Sequence, residues 1–172
     1  MGKITLVTGG ARSGKSTYAL SLADSAEINV FIATAEALDS EMKHRIGHHQ
    51  AERGDRFTTI ETPVHLAETM GKVMPGTRMV IVDCLTVWLS NLLIRDESGR
   101  LLEREQAALF RVLQDPPCRM VLVTNEVGMG IVPMNEMARN FRDRAGRLNQ
   151  MVAEKADEVV FMVSGIPMMI KG

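Results

Sequence analysis

Short apolar runs recur along the chain, and each is followed by turn-forming residues and then by a stretch with helical spacing. The runs are continuously apolar rather than alternating, which is typical of strands buried on both faces of a parallel sheet. Strands are predicted at residues 4–8, 30–33, 79–83, 120–124 and 159–163, with one more short strand around 57–60. Helices are predicted at residues 14–23, 40–53, 85–93, 101–114 and 135–155. This alternation predicts an α/β fold in which helices flank a mostly parallel sheet.

The composition is that of a globular protein with a sizeable core. Of the 172 residues, 45% are hydrophobic and 24% are charged. No repeat, low-complexity tract or linker interrupts the chain, so residues 1–172 are predicted to form a single domain. The formal net charge of −1 gives no general attraction to nucleic acid or to an anionic membrane, and neither is expected as a partner.

The sequence lacks the usual signals for export or membrane insertion. No apolar run approaches the ~20 residues that span a membrane, and the first residues lack the apolar segment of a signal peptide. Cys84 and Cys118 have neither CxxC nor zinc-ligand spacing, which favours thiols in a reducing compartment over a disulfide. A cytoplasmic location is therefore expected.

A phosphate-binding motif of the form GxxxxGK[ST] lies between the first predicted strand and the first predicted helix. Its residues are Gly9, Gly10, Ala11, Arg12, Ser13, Gly14, Lys15 and Ser16. Glycines let backbone N–H groups turn toward phosphate oxygens, and the helix N-terminus adds its dipole. Lys15 is suited to the β- and γ-phosphates, and the Ser16 hydroxyl to Mg²⁺. The preceding strand and the following helix favour a P-loop over a glycine-rich turn with a chance lysine. Arg12, inside the loop, could contact phosphate or be exposed.

An acidic residue at the end of the third predicted strand is a second candidate ligand for the metal ion. Asp83 follows four apolar residues, which is how a Walker B aspartate is presented. The same residue could instead cap the next helix, since aspartate is a good N-cap. The P-loop favours the metal role, shared with Ser16.

Histidines cluster in a predicted helix that starts near Asp39. Helical spacing places His48 on a polar face and His49 on a more apolar one. Three interpretations remain open. The pattern alone favours a solvated helix face with ordinary histidines. His44 and His48 could form a metal site, but HExxH and a third ligand are missing. Alternatively, His48 attacks phosphorus and forms a covalent intermediate.

Six segments together resemble one family, the bifunctional adenosylcobinamide kinase/adenosylcobinamide-phosphate guanylyltransferases of cobalamin biosynthesis. The segments are VTGGARSGKS (7–16), IATA (32–35), RIGHH (45–49), LVTNEVGMGIVP (122–133), FRDRAGRLNQ (141–150) and VSGIP (163–167). They run nearly from end to end of the chain. The stretch from 124 to 133 is far more specific than a P-loop.

This resemblance implies a reaction in two steps, with ATP or GTP and Mg²⁺. The aminopropanol hydroxyl of adenosylcobinamide is phosphorylated, and GMP is then transferred from GTP onto that phosphate, leaving adenosylcobinamide-GDP and pyrophosphate. His48 matches the histidine that carries GMP as a phosphoramidate, which makes His48 and Lys15 the expected catalytic residues. The resemblance also implies a recombinase-like P-loop fold and a homotrimer. Beyond the P-loop, the expected nucleotide contacts are Ala33, Thr34, Ala35, Gln50, Ala51, Glu52, Arg53, Glu61 and Asp83.

Several other residues carry weaker signals. Asn125 and Glu126 follow the fourth predicted strand, where they could orient substrate or metal or close a turn with Gly128. The charged run at 142–147 is typical of a solvated helix face, with anion binding or a subunit contact by Arg142 as the alternative. Trp88 fits core or interface. The 13 methionines suggest adaptable packing, in an ordinary core or toward a corrinoid.

Two other functions compete with the two-step enzyme. A small-molecule P-loop kinase would leave His48 structural. A GTP-dependent switch usually carries an [NT]KxD motif, but the nearest string, EKAD at 154–157, starts with the wrong residue and interrupts a helix. DxxG at 143–146 also lies within a helical run, so the switch is disfavoured.

Overall fold

A seven-stranded sheet forms the centre of the computed structural model, which describes residues 2–24, 26–36 and 54–172. The strands are β1 (Ile4–Gly9), β2 (Asn29–Ala33), β3 (Thr58–Glu61), β4 (Met79–Asp83), β5 (Arg119–Val123), β6 (Glu158–Val163) and β7 (Ile166–Lys171). Their order across the sheet is β3-β2-β4-β5-β1-β6-β7, and every neighbouring pair is parallel except β6 and β7. The predicted α/β fold with a mostly parallel sheet is confirmed, including the short strand near residue 58.

Helices pack on both faces of this sheet. They are α1 (Lys15–Ser21), α2 (Leu66–Gly71), α3 (Leu85–Arg95), α4 (Arg100–Gln114) and α5 (Glu136–Lys155), with a 3-10 turn at Gly54–Arg56. Four of these helices match predicted ones, whereas the short α2 was not predicted. The helix predicted at 40–53 lies outside the described residues.

The two faces of the sheet form separate cores. On one face, α1 covers a cluster that includes Val7 of β1, Ile81 of β4 and Val121 of β5. On the other face, helices α2 to α5 cover the alternate positions of the same strands, such as Leu6 and Leu122. Strands buried on both sides explain why their sequences are continuously apolar.

Trp88 belongs to the core of the larger face. It has no exposed surface, and its indole Nε1 donates a hydrogen bond to the Val64 carbonyl at 2.7 Å. A buried indole N–H normally finds such a partner. Of its two sequence-based interpretations, core packing is confirmed within this chain.

The last strand, β7, is missing from the sequence-based prediction. It pairs antiparallel with β6 through a two-residue turn at Ser164 and Gly165, whose φ angles are 50° and 83°. Positive φ at both positions is typical of a type I′ hairpin turn. Pro167 hides the strand in the sequence, because proline is confined to edge strands and β7 is the edge.

Candidate nucleotide-binding site

The P-loop lies where predicted, between β1 and the start of α1. Gly14 has a left-handed φ of 92° and directly precedes the helix, and Arg12 has a φ of 56°. The Lys15 ammonium folds back into the loop and donates to the Gly10 carbonyl at 2.5 Å. Lys15 is only 7% exposed, so its charge is held within the loop rather than in solvent.

Two glycines of the loop leave no room for a side chain. A Cβ at Gly9, where φ is 147°, would lie 2.6 Å from the Met162 carbonyl oxygen and 2.9 Å from Ser13 Oγ. A Cβ at Gly14 would lie 3.2 Å from the Gly165 Cα. The Gly165 N–H also donates to the Ser13 carbonyl at 3.0 Å. The turn between β6 and β7 therefore packs against the P-loop, a support that the motif alone does not reveal.

Asp83 reaches the P-loop from the end of β4. Its Oδ2 accepts a hydrogen bond from the Ser16 hydroxyl at 2.5 Å. The capping alternative for Asp83 is wrong, because the N-cap of α3 is Cys84 and no side chain caps that helix. The structure thus brings together the two oxygen-bearing side chains that the sequence assigns to a metal.

The Asp83 and Ser16 pair fits a small divalent cation. Both groups offer oxygen, which Mg²⁺ prefers, and Mg²⁺ commonly takes one or two protein ligands together with substrate phosphates. No cluster of three or more His, Cys, Asp or Glu side chains occurs in the described parts of the chain. Two hydroxyls at the site, Thr8 Oγ1 and Ser13 Oγ, are buried without a hydrogen-bond partner among the described residues.

Burial controls the ionisation of the groups around Lys15. It lowers the pKa of Lys15, whereas attraction from Cys84 and Asp83 opposes that shift. Burial, with the neighbouring charge of Asp83, raises the pKa of Cys84 to about 12. Cys84 is therefore a neutral thiol near pH 7, and Asp83 is the partner that supports the lysine charge.

The predicted turn at Ala33, Thr34 and Ala35 is tied to the end of β4. The Thr34 hydroxyl accepts from the Cys84 N–H and donates to the Cys84 carbonyl, both at 2.8 Å. The Asp83–Cys84 peptide bond, between β4 and α3, is cis. The Thr34 N–H also donates to the Asp83 carbonyl at 3.1 Å. The turn and the acid are thus held as one unit.

Glu61 lies at the same edge of the sheet. It ends β3 directly opposite Ala33, and its side chain is exposed. The Thr62 N–H donates to the Ala33 carbonyl at 2.8 Å, which fixes the two strand ends together. His48 and the predicted contacts Gln50, Ala51, Glu52 and Arg53 lie outside the described residues.

A buried polar network at the end of β5 was not predicted. Thr124 Oγ1 donates to Asn149 Oδ1 at 2.7 Å and lies 3.1 Å from Thr86 Oγ1. The Asn125 N–H donates to Thr86 Oγ1 at 2.7 Å, and the Asn149 amide donates to the Asn125 carbonyl at 3.1 Å. Its members lie far apart in sequence, on β5, α3 and α5, so no local pattern indicates that they meet.

Glu126 closes a turn, as one of its two interpretations held. Its Oε1 accepts a hydrogen bond from the Gly128 N–H at 2.5 Å.

The charged run on α5 forms local pairs: Arg142 with Asp143 at 2.9 Å, and Arg144 with Asn140 at 2.9 Å. These contacts favour the interpretation of that run as a charged helix face.

The methionines fall into two groups, one in the core and one on the surface. Met70, Met79, Met120 and Met162 are buried, whereas Met129, Met134 and Met137 are strongly exposed. The exposed ones lie beyond β5, in or next to the specific stretch at 124–133. The core interpretation therefore holds only for the first group.

Comparison with known proteins identifies a family. The family model described as cobinamide kinase / cobinamide phosphate guanyltransferase matches residues 5–170. A bifunctional adenosylcobalamin biosynthesis protein, CobP of Pseudomonas aeruginosa, is 46% identical over 97% of this chain and 96% of its own length. Proteins of the same description, both named CobU, are 42% identical in Escherichia coli and 43% identical in Salmonella typhimurium, over 96% of this chain and 98% of each relative.

The fold also resembles that of a recombinase. The crystal structure of the RadB recombinase matches with a TM-score of 0.51 and 15% identity, over 92% of this chain and 73% of that one. The likeness confirms the expected recombinase-like architecture and extends to the fold alone. No helix in the described parts of the chain is long and apolar enough to cross a membrane.

Proposed function

Because the chain belongs to the cobinamide kinase / cobinamide phosphate guanyltransferase family, we propose that it converts adenosylcobinamide to adenosylcobinamide-GDP by two successive transfers at the site described above. The observation that carries this proposal is the P-loop in which buried Lys15 faces the paired Ser16 and Asp83, within a chain that matches the family over residues 5–170. We propose the whole chain as one catalytic domain.

The first transfer is a phosphorylation. The aminopropanol hydroxyl oxygen of adenosylcobinamide attacks the γ-phosphorus of ATP or GTP, and the bond from that phosphorus to the β,γ-bridging oxygen breaks. The nucleoside diphosphate leaves with the electron pair, and the hydroxyl proton passes to solvent. Lys15 neutralises charge that accumulates on the phosphate oxygens, which is the main task of a protein in phosphoryl transfer.

The nucleotide contacts follow the carboxyl edge of the sheet. We propose the P-loop residues 9–16, Ala33, Thr34, Ala35, Gln50, Ala51, Glu52, Arg53, Glu61 and Asp83. Of these, the described residues lie at or just beyond the carboxyl ends of β1, β2, β3 and β4. Ligands of open α/β sheets usually bind at this edge.

Ser16 and Asp83 are the proposed holders of Mg²⁺. Their oxygens are adjacent and belong to the P-loop and to the acidic end of β4. When bound, the ion would reduce the negative charge of the β- and γ-phosphates.

The second transfer is proposed to pass through His48. Its neutral imidazole attacks the α-phosphorus of GTP, the bond to the β-phosphate oxygen breaks, and pyrophosphate leaves. A phosphate oxygen of the phosphorylated corrinoid then attacks the same phosphorus, and the P–N bond breaks to restore the histidine. A covalent intermediate divides one displacement into two easier ones. The assignment of His48 rests on the family resemblance of the segment at 45–49.

We further propose a homotrimer that works in the cytoplasm. The strand β7 supports self-association, because it is an edge strand whose apolar side chains Ile166, Met168, Met169 and Ile170 are all at least half exposed. Native proteins usually cover or blunt such an edge. Two free, buried thiols agree with a reducing compartment.

Incubation with α-labelled GTP tests the second transfer. Wild-type protein should retain label that survives hydroxylamine but is released by acid, as a phosphoramidate is, with one pyrophosphate per bound GMP. His48→Ala should abolish the label, whereas the matched variant His49→Ala should retain it. Label that persists in His48→Ala would exclude this histidine. Phosphorylation of adenosylcobinamide without pyrophosphate release would instead identify a plain kinase.

A further inference from the structure

Asn125 lies next to the P-loop, although it is outside the motif. The strand β5 runs between β4, which ends in Asp83, and β1, which leads into the loop. Beyond the assigned end of β5, the Thr124 N–H still donates to the Val7 carbonyl at 3.0 Å, and the Glu126 N–H donates to the Gly9 carbonyl at 2.9 Å. The ladder thus continues past Asn125 and places this residue beside the first glycine of the loop.

The continued ladder also fixes the side of the sheet on which Asn125 lies. Side chains alternate between faces along a strand, and Val123 packs in the cluster covered by α1. Asn125, two residues later, therefore shares that face with Asp83, which bonds Ser16 of α1. The opposite face receives Thr124, whose hydroxyl bonds Asn149.

Two side chains, one buried and one half-buried, hold the backbone of Asn125 on both sides. Thr86 accepts from its N–H and Asn149 donates to its carbonyl, at 2.7 and 3.1 Å. Thr86 is 8% exposed and Thr124, which joins the two, is 1% exposed. A buried polar network with its bonds satisfied is rigid, because loss of any one bond leaves a costly unpaired group.

The amide side chain of Asn125 is half-buried and, in contrast to its backbone, makes no hydrogen bond within the described parts of the chain. A fixed backbone with an uncommitted donor is the arrangement expected of a ligand-binding residue. We propose that Asn125 binds the terminal phosphoryl group of the nucleoside triphosphate through its Nδ2, and that Thr86 and Asn149 are positioning residues for it. This inference rests on the proposed function only in requiring a triphosphate in the P-loop.

Binding measurements with two nucleotides test the contact. The α,β-methylene analogue of GTP carries a terminal phosphate and, without adenosylcobinamide, transfers neither that phosphate nor GMP, whereas GDP lacks the terminal phosphate. Asn125→Ala should weaken analogue binding by about tenfold to a hundredfold, as for loss of a hydrogen bond to a charged group, and leave GDP binding within about twofold. Asn125→Asp, which is similar in size but negative, should weaken analogue binding further. The control Asn140→Ala removes an exposed asparagine on α5 and should change neither.

The positioning role has its own signature. Thr86→Val keeps the shape of the side chain but removes the hydroxyl, and it should reproduce the selective loss of analogue affinity. Thr86→Ser restores the hydroxyl and should recover most of that affinity. A merely structural role would instead weaken GDP and the analogue alike.

The outcomes separate this inference from the proposed function. Wild-type protein that binds neither nucleotide would overturn both. A second outcome would overturn this inference alone: wild-type protein binds both nucleotides, and Asn125→Ala either keeps its affinity for both or loses affinity for both equally. Selective loss of the analogue, rescued at position 86 by serine, would support it.

Discussion

The centre and the outer edge of the same sheet provide opposite environments. At the ends of β1, β4 and β5, charged and polar groups are enclosed: Lys15 is 7% exposed and Thr124 is 1% exposed. On β7 the reverse holds, since all six residues are exposed and most are apolar. In the centre, buried polar side chains such as Thr86 and Thr124 are held by hydrogen bonds. On the edge, apolar groups face outward without cover from any helix in the described residues.

This difference assigns catalysis to the centre of the sheet and self-association to its outer edge. Enclosed charge is typical of a site in which few, well-oriented groups act on a ligand. An uncovered apolar edge is typical of a surface that another chain pairs with. Substitutions in the centre should therefore change catalysis and leave the molecular mass in solution unchanged. Substitutions on the edge should change that mass and leave catalysis unchanged.

The largest expected effect is at Lys15. Lys15→Ala should lower the rate of phosphoryl transfer by about 10²–10³-fold, the usual cost of removing one group that stabilises transition-state charge. The rate of formation of phosphorylated adenosylcobinamide measures it, and light scattering should show an unchanged mass. Lys3→Ala, which removes an exposed lysine paired with Glu158, is the control. A Lys15→Ala variant within threefold of wild type would contradict the role given to the centre.

Gly9→Ala should come next, as a loss of stability. Its Cβ would meet the Met162 carbonyl at a distance that real contacts do not show, in a backbone conformation that alanine rarely adopts. A cost of about 1–3 kcal/mol in the free energy of unfolding is expected, measured by urea denaturation. Gly10→Ala is the matched control, since a Cβ there meets nothing within 4 Å. Equal losses in both variants would show that packing against β6 does not restrict the loop.

A smaller effect is expected when charge is placed on the edge. Met168→Lys and Ile170→Lys should each weaken self-association by more than about 1 kcal/mol if these side chains are buried between copies. Light scattering over a dilution series would show a lower mass at equal concentration, with phosphoryl transfer per chain retained. Ile94→Lys, at an exposed apolar position on α3, should not change the mass. An unchanged mass in the β7 variants would remove the edge from the assembly surface.

The smallest expected effect concerns alkaline stability. The pKa of Cys84 is raised from 9.0 to about 12 in the folded protein, so above pH 9 the unfolded chain loses this proton first. The resulting stability is fully present below pH 9 and is lost as the pH rises toward 12, at a slope of about 1 kcal/mol per pH unit. Unfolding free energies at pH 9 and pH 10 should fall more steeply for wild type than for Cys84→Ala.

Two other groups matter for that pH measurement. Lys15, whose pKa is lowered, contributes the opposite slope. Cys84→Ala removes the attraction to Cys84 that raises the pKa of Lys15, so this opposite slope grows in the variant and adds to the expected difference. Cys118→Ala should flatten the profile less, because burial raises the pKa of Cys118 less than that of Cys84 and no charge of Asp83 adds to it. Identical slopes in wild type and Cys84→Ala would show that the thiol is not buried as described.

The parts of the fold that could be predicted are those with a local cause. A strand buried on both faces is apolar at most positions, so β1, β2, β4, β5 and β6 were visible in the sequence. The strand β7 has no buried face, and its Pro167 imitates a loop. Helix α2 has six residues, too few for a helical period to emerge.

The same distinction applies to the candidate site. Lys15, Ser16 and Asp83 follow one strand end or one motif, and their proximity follows from a parallel sheet. The clamp on Asn125 depends instead on Thr86 and Asn149, which are 39 and 24 residues away in sequence. Local pattern contains no trace of such a contact. The role of His48 stays a prediction.

The buried position of Lys15 has a consequence for the timing of desolvation. Its ammonium gives up part of its water when the chain folds, before a nucleotide arrives. The unfavourable free energy of that step therefore lowers the stability of the fold and is absent from the binding reaction. On binding, the attraction between the ammonium and a phosphate is then opposed by less desolvation of the lysine. In this sense the P-loop is prepared for an anion before it meets one.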